Sequence, residues 1–211
     1  MDYLRLFTAV RPSEAALDRA VAAQRALAKR VGDRTVRWIP RESLHVTLHF
    51  LGATEQSKVD DVFGAMSDVA AGAPGAIPLE TAGVGAFPSA RRPRTLWTGV
   101  GDPSGRLAEI EALLNSAMRR LGFSLDDRPY HPHVTIGKVR KAAGKSELAE
   151  IGAALQELGR VRSPRDPPRT ERPRTRRRAL QRRAIGAVVA PTPRRRRSPR
   201  SPPARAPGNR A

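Results

Sequence analysis

Polar and apolar positions change their period repeatedly along this chain, and each change marks an element. Leu4 to Val10 reads as a strand. Pro12-Ser13-Glu14 predicts a helix start, with Ser13 as N-cap and Glu14 in the positive first turn. The Ala/Leu-rich run behind it predicts a helix to about Lys29, stopped by Gly32. Val36 to Ile39 reads as extended, and Pro40 closes it. From Leu44 to Leu51, alternation puts Leu44, Val46, Leu48 and Phe50 on one strand face and His45, Thr47 and His49 on the other. On this pattern Phe50 belongs to the core and His49 to the rim of whatever His45 and Thr47 face. Gly52 should end the strand and Thr54 cap the next helix. That helix carries Val59, Val62, Phe63, Met66 and Val69 on one stripe, and Gly72, Pro74 and Gly75 break it.

The second half repeats these themes. Extended segments are expected at about 77–86 and 94–100. A helix from about 103 to 121 follows, with Leu107, Ile110, Leu114, Ala117, Met118 and Leu121 buried and Gly122 as its stop. Pro132 to Val139 is a strand with His133 and Thr135 on one face and Val134 and Ile136 on the other; a last helix covers about 146–158. Each half thus runs helix, His-Val-Thr strand, helix. This predicts a duplicated α/β lobe, its two motif strands equivalent about a pseudo-two-fold axis with their polar faces lining one shared cleft.

The repeated tetrapeptides, His45-Val46-Thr47-Leu48 and His133-Val134-Thr135-Ile136, absorb two of the four histidines in the chain. A lone His-x-Thr on a strand is ordinarily a solvated polar face. Two copies in matched contexts point to a shared site. Residues i and i+2 of a strand share a face about 6.5–7 Å apart, so each strand offers one imidazole and one hydroxyl to the cleft. That set suits a phosphate diester. One imidazole deprotonates the nucleophile, the other protonates the leaving oxygen, and the hydroxyls donate to non-bridging oxygens. Spacing alone does not say which imidazole is the acid. Two His without a nearby carboxylate or Cys make a poor zinc set, so no metal and no cofactor is expected. Gly144-Lys145-Ser146 ends like a P-loop, but position 139 is Val where the motif needs Gly.

With these motifs in hand, the chain resembles the 2H phosphoesterases. Leu4-Arg5-Leu6-Phe7-Thr8-Ala9-Val10, Trp38-Ile39-Pro40, Phe50-Leu51-Gly52, Gly85-Ala86-Phe87-Pro88, Arg92-Pro93-Arg94, Leu96-Trp97 and Pro132-His133 narrow the likeness. They are similar to the RNA 2′,3′-cyclic phosphodiesterase branch, also called the 2′-5′ RNA ligase or LigT/ThpR-like family. The resemblance implies a two-lobed α+β fold, duplicated about a pseudo-two-fold axis with antiparallel sheets lining a central cleft and helices outside, and metal-independent hydrolysis of a terminal 2′,3′-cyclic phosphate to a 2′-phosphomonoester. It implies His45 as proton donor, His133 as proton acceptor, and Thr47 and Thr135 as phosphate-binding residues. RNA with cyclic-phosphate ends, such as tRNA halves, would be the partner of a monomer. Arg92 and Arg94 are candidates for RNA phosphates, and Trp38, Tyr130 and Phe50 for stacking on a base, although the face of Phe50 favours core packing. His131, before Pro132, is expected to be a surface loop residue.

Charge changes the picture only at the end of the chain. The sequence holds 39 Lys and Arg against 20 Asp and Glu, a formal +19, and most of the excess lies after residue 160. Residues 161–211 are Arg- and Pro-rich, contain no aromatic residue, and have one short apolar run, Ile185 to Ala190. The expected division is therefore a phosphoesterase domain over 1–160, lacking its closing strands, and a disordered tail over 161–211. The tail reads either as an electrostatic arm for RNA or as the product of a frameshift in GC-rich DNA. A reversible 2′-5′ RNA ligase, a phosphodiesterase for small cyclic phosphates, and a non-catalytic RNA-binding protein using the tail are the alternatives. There is no cysteine, no long apolar run, and an N-terminus broken by Asp2 and Arg5. No secretory leader or membrane span is expected, and the cytoplasm is the expected compartment.

Overall fold

Capping and apolar periodicity set the helices much as the sequence predicts. The computed structural model describes residues 3–73 and 77–158. Strand β1 (Tyr3–Val10) leads into helix α1 (Glu14–Thr35), where the Ser13 side chain accepts from the Ala16 N–H at 3.3 Å. Strand β2 (Val36–Trp38), a 3-10 turn at Arg41–Ser43, and strand β3 (Val46–Glu55) follow. A second 3-10 turn, Gln56–Lys58, opens helix α2 (Val59–Gly72). Then come strands β4 (Glu80–Phe87) and β5 (Thr95–Gly101), helix α3 (Arg106–Arg120), strand β6 (His133–Val139) and helix α4 (Lys145–Leu158). The Asp102 carboxylate caps α3 by accepting from Leu107 and Ala108 N–H at 2.8 and 3.1 Å. At its other end Gly122, at φ +84°, closes a Schellman turn: Phe123 N–H donates to Met118 C=O and Gly122 N–H to Arg119 C=O.

Two glycines expected as stops are not stops. Helix α1 passes through Gly32 to Thr35, and β3 passes through Gly52, at φ +74°, to Glu55. An interior glycine costs a helix only about 1 kcal/mol, less than α1 recovers by burying Leu17, Leu27 and Val31. Thr54 is consequently a buried strand residue and caps nothing.

The strands form one antiparallel sheet in the order β1-β3-β6-β5-β4, with β2 on β6. The two lobes meet where β3 and β6 touch, and that contact is a single residue pair, Val46 and Val134. On one side β1 and β3 pack on α2 and α3. On the other, β2, β6, β5 and β4 pack on α1 and α4. The helices are therefore exchanged: α1, from the first half, covers the second lobe, and α3, from the second half, covers the first. This is the two-lobed, duplicated α+β fold with helices outside the sheets. β1 corresponds to β5, α1 to α3, β3 to β6 and α2 to α4. The counterpart of β4 would follow α4, and the expected missing strands and the 161–211 tail lie outside the described residues.

Alternation in β3 and β6 is interrupted by bulges. Opposite β1, Leu48 and Leu51 are extra residues: Ala9 pairs with Thr47, Thr8 with His49, Phe7 with Phe50 and Leu6 with Gly52. Opposite β5, Ile136 is the extra residue: Trp97 pairs with Thr135 and Leu96 with Gly137. An extra residue in one strand shifts the phase of everything after it. The faces predicted for His49 and Phe50 are thus reversed. His49 is buried on the helix side, whereas Phe50 is 74% exposed on the face that carries His45.

Candidate active site

The site is built around the Val46–Val134 pair. Both valines are buried on the helix side, which turns their neighbours to the opposite face. In an antiparallel register centred on that pair, His45 lies opposite Thr135 and Thr47 opposite His133. Each imidazole therefore shares a face with its own strand's hydroxyl and, across the Val46–Val134 pair, with the other strand's motif.

Both rings are held alike. His45 Nδ1 lies 2.7 Å from the carbonyl oxygen of Ser43, and His133 Nδ1 lies 2.7 Å from that of His131. A carbonyl only accepts, so Nδ1–H donates in each ring and Nε2 is left as the chemically available nitrogen. This also gives His131 a use unforeseen from sequence: its side chain is exposed, and its backbone orients the neighbouring imidazole.

The ring surroundings differ. His45 stacks on Phe7 at 4.9 Å between centroids and 24° between planes. His133 meets the edge of Phe87 at 5.0 Å and lies 6.2 Å from Trp97. Burial there pushes the His133 imidazole below its ordinary value, and the nearby His131 and His45 rings push the same way, outweighing the stabilising carbonyl of His131. The Trp97 ring lies across β4 at Gly85, where a Cβ would meet it at 2.3 Å, so no larger residue fits under that ring. Phe7, Phe87 and Trp97 were not singled out from sequence as neighbours of the imidazoles. Phe7 and Trp97 lie on the strands that pair with the motif strands, and Phe87 one strand further out, on β4.

After its bulge each motif strand presents one more residue to the imidazole face. On β3 it is Phe50, five residues after His45; on β6 it is Lys138, five after His133, and both are exposed. Phe50 pairs with Phe7, their rings 6.3 Å apart. Lys138 pairs with Thr95 on one side and with exposed Arg37 on the other. One flank of the site is aromatic, the other cationic. Arg92 and Arg94 are exposed in the loop that leads into β5, beside this cationic flank.

Two expected RNA contacts sit elsewhere. Trp38 shares the face of fully buried Val36 and lies over Gly137, where a Cβ would meet both side chains. It packs against the core, away from the imidazoles, because β2 alternates about exposed Arg37. Tyr130 also packs on the core, and its hydroxyl donates to the backbone oxygen of Thr47 at 3.2 Å. Burial raises its phenol above the ordinary value, with Glu111 and Asp102 adding to the shift, so it stays a donor. Among the described residues no group of three or more His, Cys, Asp or Glu is placed to hold a metal ion.

Comparison with known proteins meets this geometry from the other side. The LigT like Phosphoesterase family profile matches residues 10–97 and 100–167. The RNA 2′,3′-cyclic phosphodiesterase of Methanothermobacter thermautotrophicus is 32% identical over 162 residues, 75% of this chain and 85% of that one. The Archaeoglobus fulgidus protein of the same name is 31% identical over 148 residues, 70% of this chain and 78% of that one. Among solved structures, Escherichia coli LigT complexed with 3′-AMP aligns at 25% identity and a TM-score of 0.51, over 68% of this chain and 78% of that one. A Thermus thermophilus protein aligns at 25% identity and a TM-score of 0.56, over 67% and 77%. No described helix is long and apolar enough to cross a membrane. With the profile spanning both His-x-Thr strands and the lobes that carry them, this chain belongs to the LigT-like phosphoesterase family.

Proposed function

We propose that this protein is an RNA 2′,3′-cyclic phosphodiesterase that works with two imidazoles and no metal. The observation that carries the reading is the equivalence of the rings: each has Nδ1 tied to the carbonyl two residues upstream, Nε2 available, and a threonine beside it. The names of the relatives supply the substrate class. His133 is the base, since a lowered imidazole is neutral and ready to accept a proton at neutral pH. It takes a proton from water, the oxygen attacks phosphorus, the P–O3′ bond breaks, and His45 Nε2–H protonates O3′. The product is a 2′-phosphomonoester with a free 3′-hydroxyl. Thr47 and Thr135 donate to the non-bridging oxygens, where charge builds up in the transition state.

The two flanks give the substrate a direction. Phe50, backed by Phe7, offers a flat apolar surface for the terminal base. Lys138 and Arg37, with Arg92 and Arg94 beyond them, suit the phosphates of the preceding nucleotides. The test is hydrolysis of cyclic-phosphate-ended RNA in EDTA, with the product resolved as 2′- or 3′-phosphate. His45→Ala and His133→Ala should each lower kcat by about 10²–10⁴-fold. A 3′-phosphate product, sensitivity to chelation, or full turnover by either variant would defeat the reading.

A further inference from the structure

Behind each bulge, on the side away from the substrate, lies a polar residue from the exchanged helix. On α1, Ala20, Gln24, Leu27 and Val31 have the same spacing as Leu107, Glu111, Leu114 and Met118 on α3. The six apolar members of these rows are all buried. Gln24 and Glu111 thus hold the same place under opposite lobes, each breaking an otherwise apolar helix stripe.

Their contacts correspond too. Gln24 Nε2 donates to the carbonyl of bulged Ile136 at 2.7 Å and to that of Ile39 at 2.8 Å, which uses both amide hydrogens. Ile136 directly follows Thr135. Glu111 Oε1 lies 2.9 Å from Nε2 of His49, which directly follows bulged Leu48. The His49 backbone N–H donates to Thr8 Oγ1 at 3.1 Å, and its Nδ1 lies 3.4 Å from the same hydroxyl. A bulge leaves the strand locally without its regular ladder, so its conformation depends on what else holds it. A buried polar group in such a place persists only when its hydrogen bonds are made.

We infer that Gln24 and Glu111 are positioning residues, each pinning from behind the bulge that aims one His-x-Thr pair: Gln24 for His133 and Thr135, Glu111 through His49 for His45 and Thr47. The inference rests on the two-histidine reading above and adds a residue to each half of it. Neither side chain touches the substrate. Their effect falls on geometry, where a misplacement of about 1 Å costs on the order of 10²-fold in rate.

Double-mutant cycles on kcat, using cyclic-phosphate-ended RNA, test it lobe by lobe. Gln24→Met keeps the volume and removes both donors; Glu111→Leu removes the acceptor; Glu111→Gln keeps one. Gln24→Met and Glu111→Leu should lower kcat by roughly ten- to a hundredfold with KM little changed, and Glu111→Gln should restore most of it. Gln24→Met should add less than its full loss to Thr135→Ala, the remainder running through His133, but multiply that of Thr47→Ala in full. Glu111→Leu should do the reverse. A merely structural role would lower every background alike, so losses that multiply in both lobes would overturn the inference. So would a Gln24→Met variant with unchanged kcat. Gln24→Asn, one methylene short of both carbonyls, serves if the Met variant does not fold. If Thr47→Ala and Thr135→Ala alone leave turnover intact, the catalytic reading itself fails, a result distinct from multiplying losses.

Discussion

Phe50→Ala separates the substrate-binding role of the β3 flank from its structural one. The Phe50 side chain is 74% exposed, so about a quarter of its surface is covered in the free protein. A buried Phe removes about 150–250 Å² from water. A quarter of that, at about 25 cal/mol per Å², is roughly 1 kcal/mol. The variant should therefore fold normally, with a melting temperature only a few degrees lower. Stacking of a base on an aromatic ring contributes about 1–3 kcal/mol, equivalent to about 5- to 150-fold in affinity. The loss should fall on KM for cyclic-phosphate substrates. The acid, the base and both hydroxyls are left in place, so kcat should change little.

The assay is steady-state hydrolysis of a nucleoside 2′,3′-cyclic phosphate and of an oligonucleotide with the same end, beside a thermal melt. Phe50→Trp should retain or tighten binding, and Phe50→Leu should lie between Ala and wild type. If Phe50→Ala left KM unchanged on both substrates, the aromatic flank would not hold the base. If kcat collapsed while KM held, Phe50 would be acting through Phe7 on the His45 ring, and the assignment of the flank to binding would be wrong.

The remaining predictions use the same assay or simple variants of it. The pH profile of kcat/KM should be bell-shaped, with its acidic limb below 6.5 because His133 is lowered from that value; a flat profile between about pH 5 and 9 would contradict paired acid and base catalysis. Lys138→Ala should weaken oligonucleotides, reduce the slope of log KM against log salt by about one phosphate contact, and leave a mononucleotide cyclic phosphate almost unaffected. Stability should fall on acidification: burial lowers the His49 and His133 imidazoles, so the unfolded chain takes up protons that the folded one resists. That stabilisation is complete above 6.5, the unfolded value, and is lost as pH falls through the lowered folded values. His49→Gln should flatten the dependence of the melting temperature on pH, and an unchanged slope would assign it to other groups.

The two motif tetrapeptides and the apolar stripes of the helices were readable because they are periodic. Leu107, Ile110, Leu114 and Met118 recur at helical spacing and are buried as expected. What sequence did not reveal are departures from period. Nothing in His-Val-Thr-Leu-His-Phe announces that Leu48 is an extra residue, and this single fact moved His49 into the interior and Phe50 into the open. The second motif hides the same bulge at Ile136 and so conceals Lys138. Set side by side, His-Val-Thr-Leu-His-Phe and His-Val-Thr-Ile-Gly-Lys are identical through the third residue and alike in character at the fourth, and the contrast between the flanks lies in the sixth. Trp38 is a stacking candidate to which the sequence assigns no face; β2 alternates about exposed Arg37, and that alternation puts Trp38 on the core side. The exchange of α1 and α3 between lobes depends on long-range packing that no local pattern encodes.

On the proposed mechanism, the duplication has to yield an acid and a base from two copies of one motif. A symmetric scaffold supplies the geometry twice over: the carbonyl that orients Nδ1, the threonine two residues on, the bulge, and the polar helix residue behind it. Symmetry by itself does not separate an acid from a base. Asymmetry enters through the neighbours. His133 is enclosed by Phe87 and Trp97, which Gly85 admits, whereas His45 stacks on Phe7. Burial lowers the His133 imidazole and the neighbouring His131 and His45 rings push the same way, which suits His133 to the proposed role of base. Gly85→Ala would force the Trp97 ring off β4 without touching either motif. It should raise the acidic limb of the pH–rate profile toward 6.5 as His133 regains solvent, with the threonines still in place. An acidic limb that stays put in that variant, with the protein folded, would mean that the ring neighbours do not set the division of roles.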